Sequence, residues 1–383
     1  MTLRTDVLVI GAGPFGLGLA AELRRLDLDH VVVGRPMEFW RKHMPHGMFL
    51  RSASDWSLDP TDRYSMLRYL EVRGETPDEV EPLSRDYYLG YADWFRAQSG
   101  IETIETYVVR LDGVEGGFHA VLEDGGVIEA RRVVIALGMG YFEQLPDEVV
   151  ARLPVRRFEH TRDAVDLARH AGRRVLIVGG RQSAYEWAAL LNDAGAAQVH
   201  LSHRHDPPAF AEADWAWVTP LVDGMVENPS WFRALDQAER DAIARRMWGE
   251  GRLKVEPWLE RRVVRPSTHV HARTALKVCT ERPDGALDVT LDNGEAFVVD
   301  DVILATGYRV DMSRVPLLAA GNLLERLDVR DGWPVLSEHF ETSVPGVHVT
   351  SMPAGRDFGP FFGFTVSVRA SARIIGRALA TSS

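Results

Sequence analysis

Near the amino terminus an apolar run, Val7-Leu-Val-Ile10, ends on a glycine cluster, and apolar residues then recur at helical spacing from Leu17 to Leu26. His30-Val-Val-Val33 follows as a second buried strand. Strand, glycine turn, helix and strand make a β-α-β unit. The order returns at Arg174-Val-Leu-Ile-Val178, where Gly179 and Gly180 lead into a helix that ends near Asn192, ahead of Gly195. Gln198-Val-His-Leu-Ser202 is then the second strand of that unit.

The parallel extends further along the chain. Alternating segments over about 103–132 predict a β-meander leading to Val133-Val-Ile-Ala-Leu-Gly138. A similar meander, from about His269 to Asp300, leads to Val302-Ile-Leu-Ala-Thr-Gly307. Gly138 lies 127 positions after Gly11, and Gly307 lies 128 after Gly179. The fold class predicted is α/β, with two Rossmann-like dinucleotide-binding domains, each with a β-meander excursion, the second inserted in the first. Residues 1–158 and 304–383 form the first domain and 159–303 the second. One stretch breaks the symmetry: 205–260 holds five of the ten tryptophans, Trp215, Trp217, Trp231, Trp248 and Trp258. It reads as a partly helical insertion, either a substrate wall or a structural module.

Composition narrows the chemistry. A net charge of −11 without a long basic run argues against a nucleic-acid footprint. Cys279 is the only cysteine, so neither a disulfide framework nor a redox dithiol can form within the chain. No run of about 18 apolar residues occurs, so no membrane span is expected and the location expected is cytoplasmic. His203-x-His205 and His269-x-His271 each put two rings on one strand face, but no further ligand accompanies them and no metal is expected.

The glycine turns carry the candidate chemistry. In Gly11-x-Gly13-Pro14-Phe15-Gly16 the first glycine makes the strand-to-helix turn, and the second lets a pyrophosphate approach the backbone at the helix N-terminus. The acid that normally ends the next strand and binds a ribose is absent; Gly34 and Arg35 stand there, so Arg35 or backbone groups must serve. In Gly179-Gly180-Arg181-Gln182-Ser183 an arginine replaces the second glycine and can itself donate to phosphate. The alternative is a turn kept only for stability. His203 and Arg204 end the following strand, where a 2′-phosphate would sit, which favours NADPH over NADH. Ala136 to Gly138 and Ala305-Thr306-Gly307-Tyr308 are matched strand ends where small residues admit a cofactor. The late loop containing Phe361 and Phe362 suits a flavin surround or an aromatic plug.

With these motifs the chain resembles the two-dinucleotide-binding-domain flavoproteins, and among them the class B flavin monooxygenases of the flavin-containing and amine N-hydroxylating type. Three stretches carry the resemblance beyond the shared fold: Gly180-x-Gln182-Ser183-Ala184-x-Glu186, Leu304-Ala-Thr-Gly-Tyr308, and Trp40-x-x-x-Met44-Pro-x-Gly-Met48. The resemblance covers nearly the whole chain. Gly34 and Arg181 depart from the family pattern, and Phe158-Glu-His160-Thr161 matches the monooxygenase fingerprint only loosely.

The resemblance implies FAD on the first unit and NADPH on the second. It also implies a monooxygenase that oxygenates a nucleophilic nitrogen or sulfur of a small molecule through a C4a-(hydro)peroxyflavin. It places Trp40 and Met48 by the flavin, Arg51, Ser52 and Trp56 near flavin or nicotinamide, and Tyr308 with the two phenylalanines near the reaction chamber. Partners are then molecular oxygen and a substrate that is free or carrier-bound, with homo-oligomer formation left open. An NADPH-dependent flavin reductase or dehydrogenase is the second reading, and a non-catalytic flavin-binding protein the third.

Overall fold

The computed structural model of the chain describes residues 2–381. Its first sheet is built on Thr2–Ile10, whose Val7 to Ile10 are at most 2% exposed. Both faces of that run are covered, which suits β-branched residues in a parallel sheet. His30–Val33 pairs with it in parallel on one side and Val127–Ile135 on the other. Val127–Ile135 serves two neighbours. Its first half pairs antiparallel with Gly117–Leu122, which in turn pairs with Val108–Val114. Its last residues pair in parallel with Val347–Val349. The chain therefore leaves the first sheet after Ile135 and returns to it more than two hundred residues later.

Between those visits a second sheet forms from five parallel strands, in the order Thr268–Ala272, Gln198–His203, Arg174–Val178, Asp301–Leu304 and Glu159–His160. The expected α/β architecture of two parallel sheets stands. The second meander is shorter than expected, comprising Leu276–Glu281, Leu287–Leu291 and Ala296–Val299. Thr268–Ala272, which the alternation assigned to the meander, is instead the edge strand of the parallel sheet. Its residues Thr-His-Val-His-Ala alternate polar and apolar as a meander strand's do, and that pattern alone cannot separate the two.

Helix Pro14–Arg25 packs against the last helix, Val368–Thr381, burying Leu19, Leu23, Ile374 and Ile375 to 2% exposure or less. Gly18 allows the approach: a Cβ there would come within 2.5 Å of Val368 Cγ1 and 2.8 Å of the Leu58 carbonyl.

The tryptophan-rich insertion contains Val218–Gly224, Trp231–Ala234 and Gln237–Arg252. Asp236 and Glu239 close a capping box at the start of the longest helix, so that two of its free N–H groups are satisfied. The insertion's two ends pair in parallel, Lys254 opposite Ala209 and Val255 opposite Phe210. In sequence it belongs to the second unit, yet Val218, Val222, Met225 and Phe232 join the core of the first sheet. Among the described residues, no helix is long and apolar enough to cross a membrane.

Candidate functional site

Three strand ends converge at the first glycine turn. The Ala136 N–H donates to the Ile10 carbonyl and the Thr350 N–H to the Ile135 carbonyl, aligning the segments after Ile10, Ile135 and Val349. Gly11 has φ +114°, and a Cβ there would lie 2.4 Å from the Ala136 carbonyl oxygen. A Cβ on Gly16 would lie 1.8 Å from the Gly11 oxygen, so helix and strand touch there. At Gly13, which caps the helix just before Pro14, a Cβ would meet nothing within 4 Å. Two glycines are thus pinned by the protein and the middle one faces open space, an arrangement suited to the close approach of a pyrophosphate.

The surroundings add residues the sequence reading missed. Gly138, at φ +64°, donates its N–H to the Ser351 hydroxyl at 3.1 Å. Ser351 is held at φ +67°, where a side chain is strained, and strain of this kind concentrates at ligand sites. The Thr350 hydroxyl is buried at this junction with no partner among the described residues. Gly34 is required by contact: its Cβ would come 2.8 Å from the Ala12 nitrogen. Arg35 lies over the Tyr107 ring, 4.4 Å from its centroid, and pairs with Glu38 and Glu123. Glu38, five positions beyond the strand end, is shared by Arg35, Lys42 and Tyr107.

Of the remaining candidates, Phe362 reaches this turn through Phe15. Phe361 and Phe362 are fully buried; Phe362 packs beside the stacked pair Phe340 and Phe358, 5.4 and 5.5 Å from their centroids, with the Phe15 ring 6.4 Å away. Phe361 meets Trp217 of the insertion edge to face at 5.9 Å. Trp40 stacks on Tyr88 at 4.7 Å. Met48 packs against the core of the second sheet. Trp56 is buried and donates its Nε1–H to the Thr219 hydroxyl. The Ser52 and Thr365 hydroxyls are 3.1 Å apart.

At the second turn Gly179 is pinned as Gly11 is, since a Cβ would come 2.5 Å from the Ala305 oxygen. Gly180 lies against the His203 ring, which a Cβ would strike at 2.2 Å. That contact gives His203 a different part from the one expected at a 2′-phosphate. It is only 4% exposed, and burial, then the nearby His205, holds its ring below the usual histidine range. Its Nδ1 bonds the His205 carbonyl, which leaves Nε2 as a buried acceptor without a partner among the described residues. A neutral acceptor suits a ribose hydroxyl, not a phosphate. Arg181 turns its guanidinium over Trp248, 4.0 Å from the ring centroid. Ser183 and Arg204 are exposed.

The Gln182 side chain is spent on the protein. Its amide donates to Glu186 and accepts from the Glu256 N–H at 3.1 Å. Glu186 also accepts from the Phe49 N–H at 3.2 Å, and Glu256 holds Arg51 at 2.6 Å. Phe49, Glu186, Gln182, Glu256 and Arg51 thus form a closed ring joining the segment at 49–51 to the second sheet's helix and the insertion. Arg51 is fully engaged, since its two remaining nitrogens donate to the carbonyls of Gly251 and Glu250. Burial above all pushes the Glu186 carboxyl up to about 7, with Glu256 adding to the rise.

Tyr308 leaves the strand end to meet Phe39 at 6.1 Å and His160 edge to face at 5.3 Å, and burial raises its hydroxyl well above the usual range. His160 donates from Nε2 to the Gly307 carbonyl and accepts the Arg162 N–H at Nδ1. The Thr306 hydroxyl bonds the Gln144 carbonyl. Among the described residues, no three His, Cys, Asp or Glu side chains are grouped to hold a metal.

Residues 8–246 match the pyridine nucleotide-disulphide oxidoreductase family, and the chain belongs to it. It is an oxidoreductase whose only cysteine, Cys279, is buried. An FAD-dependent urate hydroxylase of Xanthomonas campestris pv. campestris is 25% identical over 332 residues, covering 82% of this chain and 68% of that one. A ferredoxin–NADP reductase of Burkholderia vietnamiensis is 30% identical over 205 residues, about half of each chain (53% and 52%). Among solved structures, an ornithine N-hydroxylase of Kutzneria sp. 744, described with reduced FAD, NADP+ and L-ornithine, has a TM-score of 0.81 at 18% identity over 99% of both chains. That likeness is one of fold.

Proposed function

We propose that the chain binds FAD at the Gly11–Gly16 turn and NADPH at the Gly179–Ser183 turn, and that it oxygenates a nucleophilic nitrogen or sulfur of a small molecule. The observation that carries this reading is the pair of glycine turns in a chain whose single cysteine removes the thiol route. Residues 1–158 and 304–383 would then hold FAD, and 159–303 NADPH. The whole-chain likeness to an N-hydroxylase and the match to a urate hydroxylase support oxygen insertion.

When bound, FAD would supply the redox chemistry: a hydride accepted from NADPH and, with dioxygen and a proton, one oxygen atom for the substrate and the other for water. The chain's own work is to bind, orient and exclude water. Backbone N–H groups at Gly13 and Phe15 would meet the pyrophosphate, with the Thr350 and Ser351 hydroxyls available to hold it. The Trp217–Phe361 and Trp215–Phe364 contacts, 5.9 and 5.7 Å between centroids, bring the insertion down on the C-terminal loop.

The test is transient kinetics on the purified yellow protein. It is reduced anaerobically with NADPH and then mixed with oxygen. A transient absorbance distinct from both oxidised and reduced flavin supports oxygenation. Direct reoxidation without it favours an electron-donating reductase, the reading to which the ferredoxin–NADP reductase match points. No reduction by either nicotinamide nucleotide overturns both.

A further inference from the structure

Two guanidiniums share one ring at the second glycine turn and a third arginine follows the neighbouring strand, none of them paired with a carboxylate among the described residues. Arg181 caps the helix Gln182–Asp193, and Arg252 ends the long helix of the insertion. Both lie against one ring, Trp248, at 4.0 and 5.7 Å from its centroid. Arg204 follows the strand whose Ser202 carbonyl accepts the Gly179 N–H. The basic residues around them are neutralised: Arg51 by Glu256, Lys254 by Glu250 and Arg273 by Asp206. Arg181, Arg204 and Arg252 take no acidic partner among the described residues.

Unneutralised like charges at a ligand turn repel one another unless an anion is brought to them. Here the repulsion is felt: burial, then Arg252 and Arg204, pull the Arg181 guanidinium down to about 10. Guanidiniums are suited to phosphate because their fork of donors matches its oxygens, and an indole face at their back fixes their direction without neutralising them. The buried acceptor at His203 Nε2 lies at the same turn and suits the hydroxyl of a phosphorylated ribose.

We propose that Arg252 and Trp248, both from the insertion, complete with Arg181 and Arg204 a site for the 2′-phosphate of NADPH. The insertion, and not the strand end alone, then decides between NADPH and NADH. The inference rests on the NADPH reading above. It assigns to the insertion a part in cofactor choice that its tryptophans alone do not suggest.

The test is calorimetric titration of the flavin-loaded protein with 2′,5′-ADP and with 5′-AMP, which differ in the phosphate at issue. The unaltered protein is expected to bind 2′,5′-ADP at least about tenfold more tightly. Arg252→Ala is expected to remove most of that margin while leaving 5′-AMP affinity unchanged. Arg252→Lys, which keeps the charge and loses the fork, is expected to fall between the two. Circular dichroism and flavin content establish that each variant is folded. If Arg252→Ala keeps the full preference for 2′,5′-ADP, the inference is overturned and the NADPH reading stands. If the unaltered protein binds neither nucleotide and NADPH does not reduce its flavin, both fall.

Discussion

Arg51 sets its Nε 2.6 Å from Glu256 Oε1 across 205 positions of sequence, with side chains only 13% and 7% exposed. The pair ties the segment after the first turn to the strand that closes the insertion. Removing one partner of such a pair leaves the other charge buried, which costs about 3–5 kcal/mol. Arg51→Ala is therefore expected to lower unfolding stability by about 3 kcal/mol in urea titrations. The double change Arg51→Met with Glu256→Leu is expected to recover most of that loss. A single variant as stable as the parent would show that the pair does not hold the two parts together.

Glu186 makes the same ring sensitive to pH. Its folded pKa of about 7 lies above the unfolded carboxylate value, so between roughly pH 4.5 and 7 the folded chain binds the extra proton. Its contribution is fully present below that window and is lost as pH rises through 7. A tenfold difference in proton affinity between folded and unfolded chain corresponds to about 1.4 kcal/mol, so the loss reaches about 3 kcal/mol by pH 8. Glu186→Gln is expected to flatten the stability–pH curve in this window and to exceed the parent at pH 8. Guanidinium melts at several pH values read this directly, and an unchanged slope in the variant rejects it.

Gly13 and Gly16 separate binding from folding. A Cβ at Gly13 meets no protein atom, whereas at Gly16 it would lie 1.8 Å from the Gly11 oxygen. Gly13→Val is expected to fold with a melting temperature near that of the flavin-free parent but to purify with little flavin. Gly16→Ala is expected to be destabilised by about 1–3 kcal/mol through overpacking. Flavin absorbance per protein, read beside thermal unfolding, distinguishes the two. Equal flavin in Gly13→Val and the parent would remove the pyrophosphate from this turn.

Phe362 belongs to the core as much as to any chamber. It is fully buried against the stacked pair Phe340 and Phe358, so Phe362→Ala is expected to cost about 3–5 kcal/mol. The cavity also removes support from Phe15 beside the pyrophosphate turn. Flavin release is therefore expected to quicken more than after Phe361→Ala, whose nearest ring is Trp217 in the insertion. Equal release rates in the two variants would contradict this.

What the sequence made legible was local. An apolar run meeting a glycine turn is a pattern within a dozen residues, and both turns and both parallel sheets could be read from it. Thr268–Ala272 could not, because an edge strand and a meander strand alternate alike. Nor could the part played by Arg51, whose partner lies on another element and whose own neighbours, Leu50 and Ser52, give no sign of it. His203 ends its strand where a phosphate ligand would, yet only the packing of its ring on Gly180 reveals that it is buried and neutral. Ser351 carries its signal in a backbone angle, which residue identity does not report.

The pairing of Ala209–Phe210 with Lys254–Val255 holds the two ends of the insertion side by side. To the sheet beneath, the 43 residues between them are a detour that starts and finishes at one place. A detour of that kind can lengthen, shorten or be exchanged while the strands before and after it keep their register. The second sheet and the segment laid over the molecule can thus diverge at different rates in the descendants of one ancestral chain, except where Val218, Val222, Met225 and Phe232 share the first sheet's core.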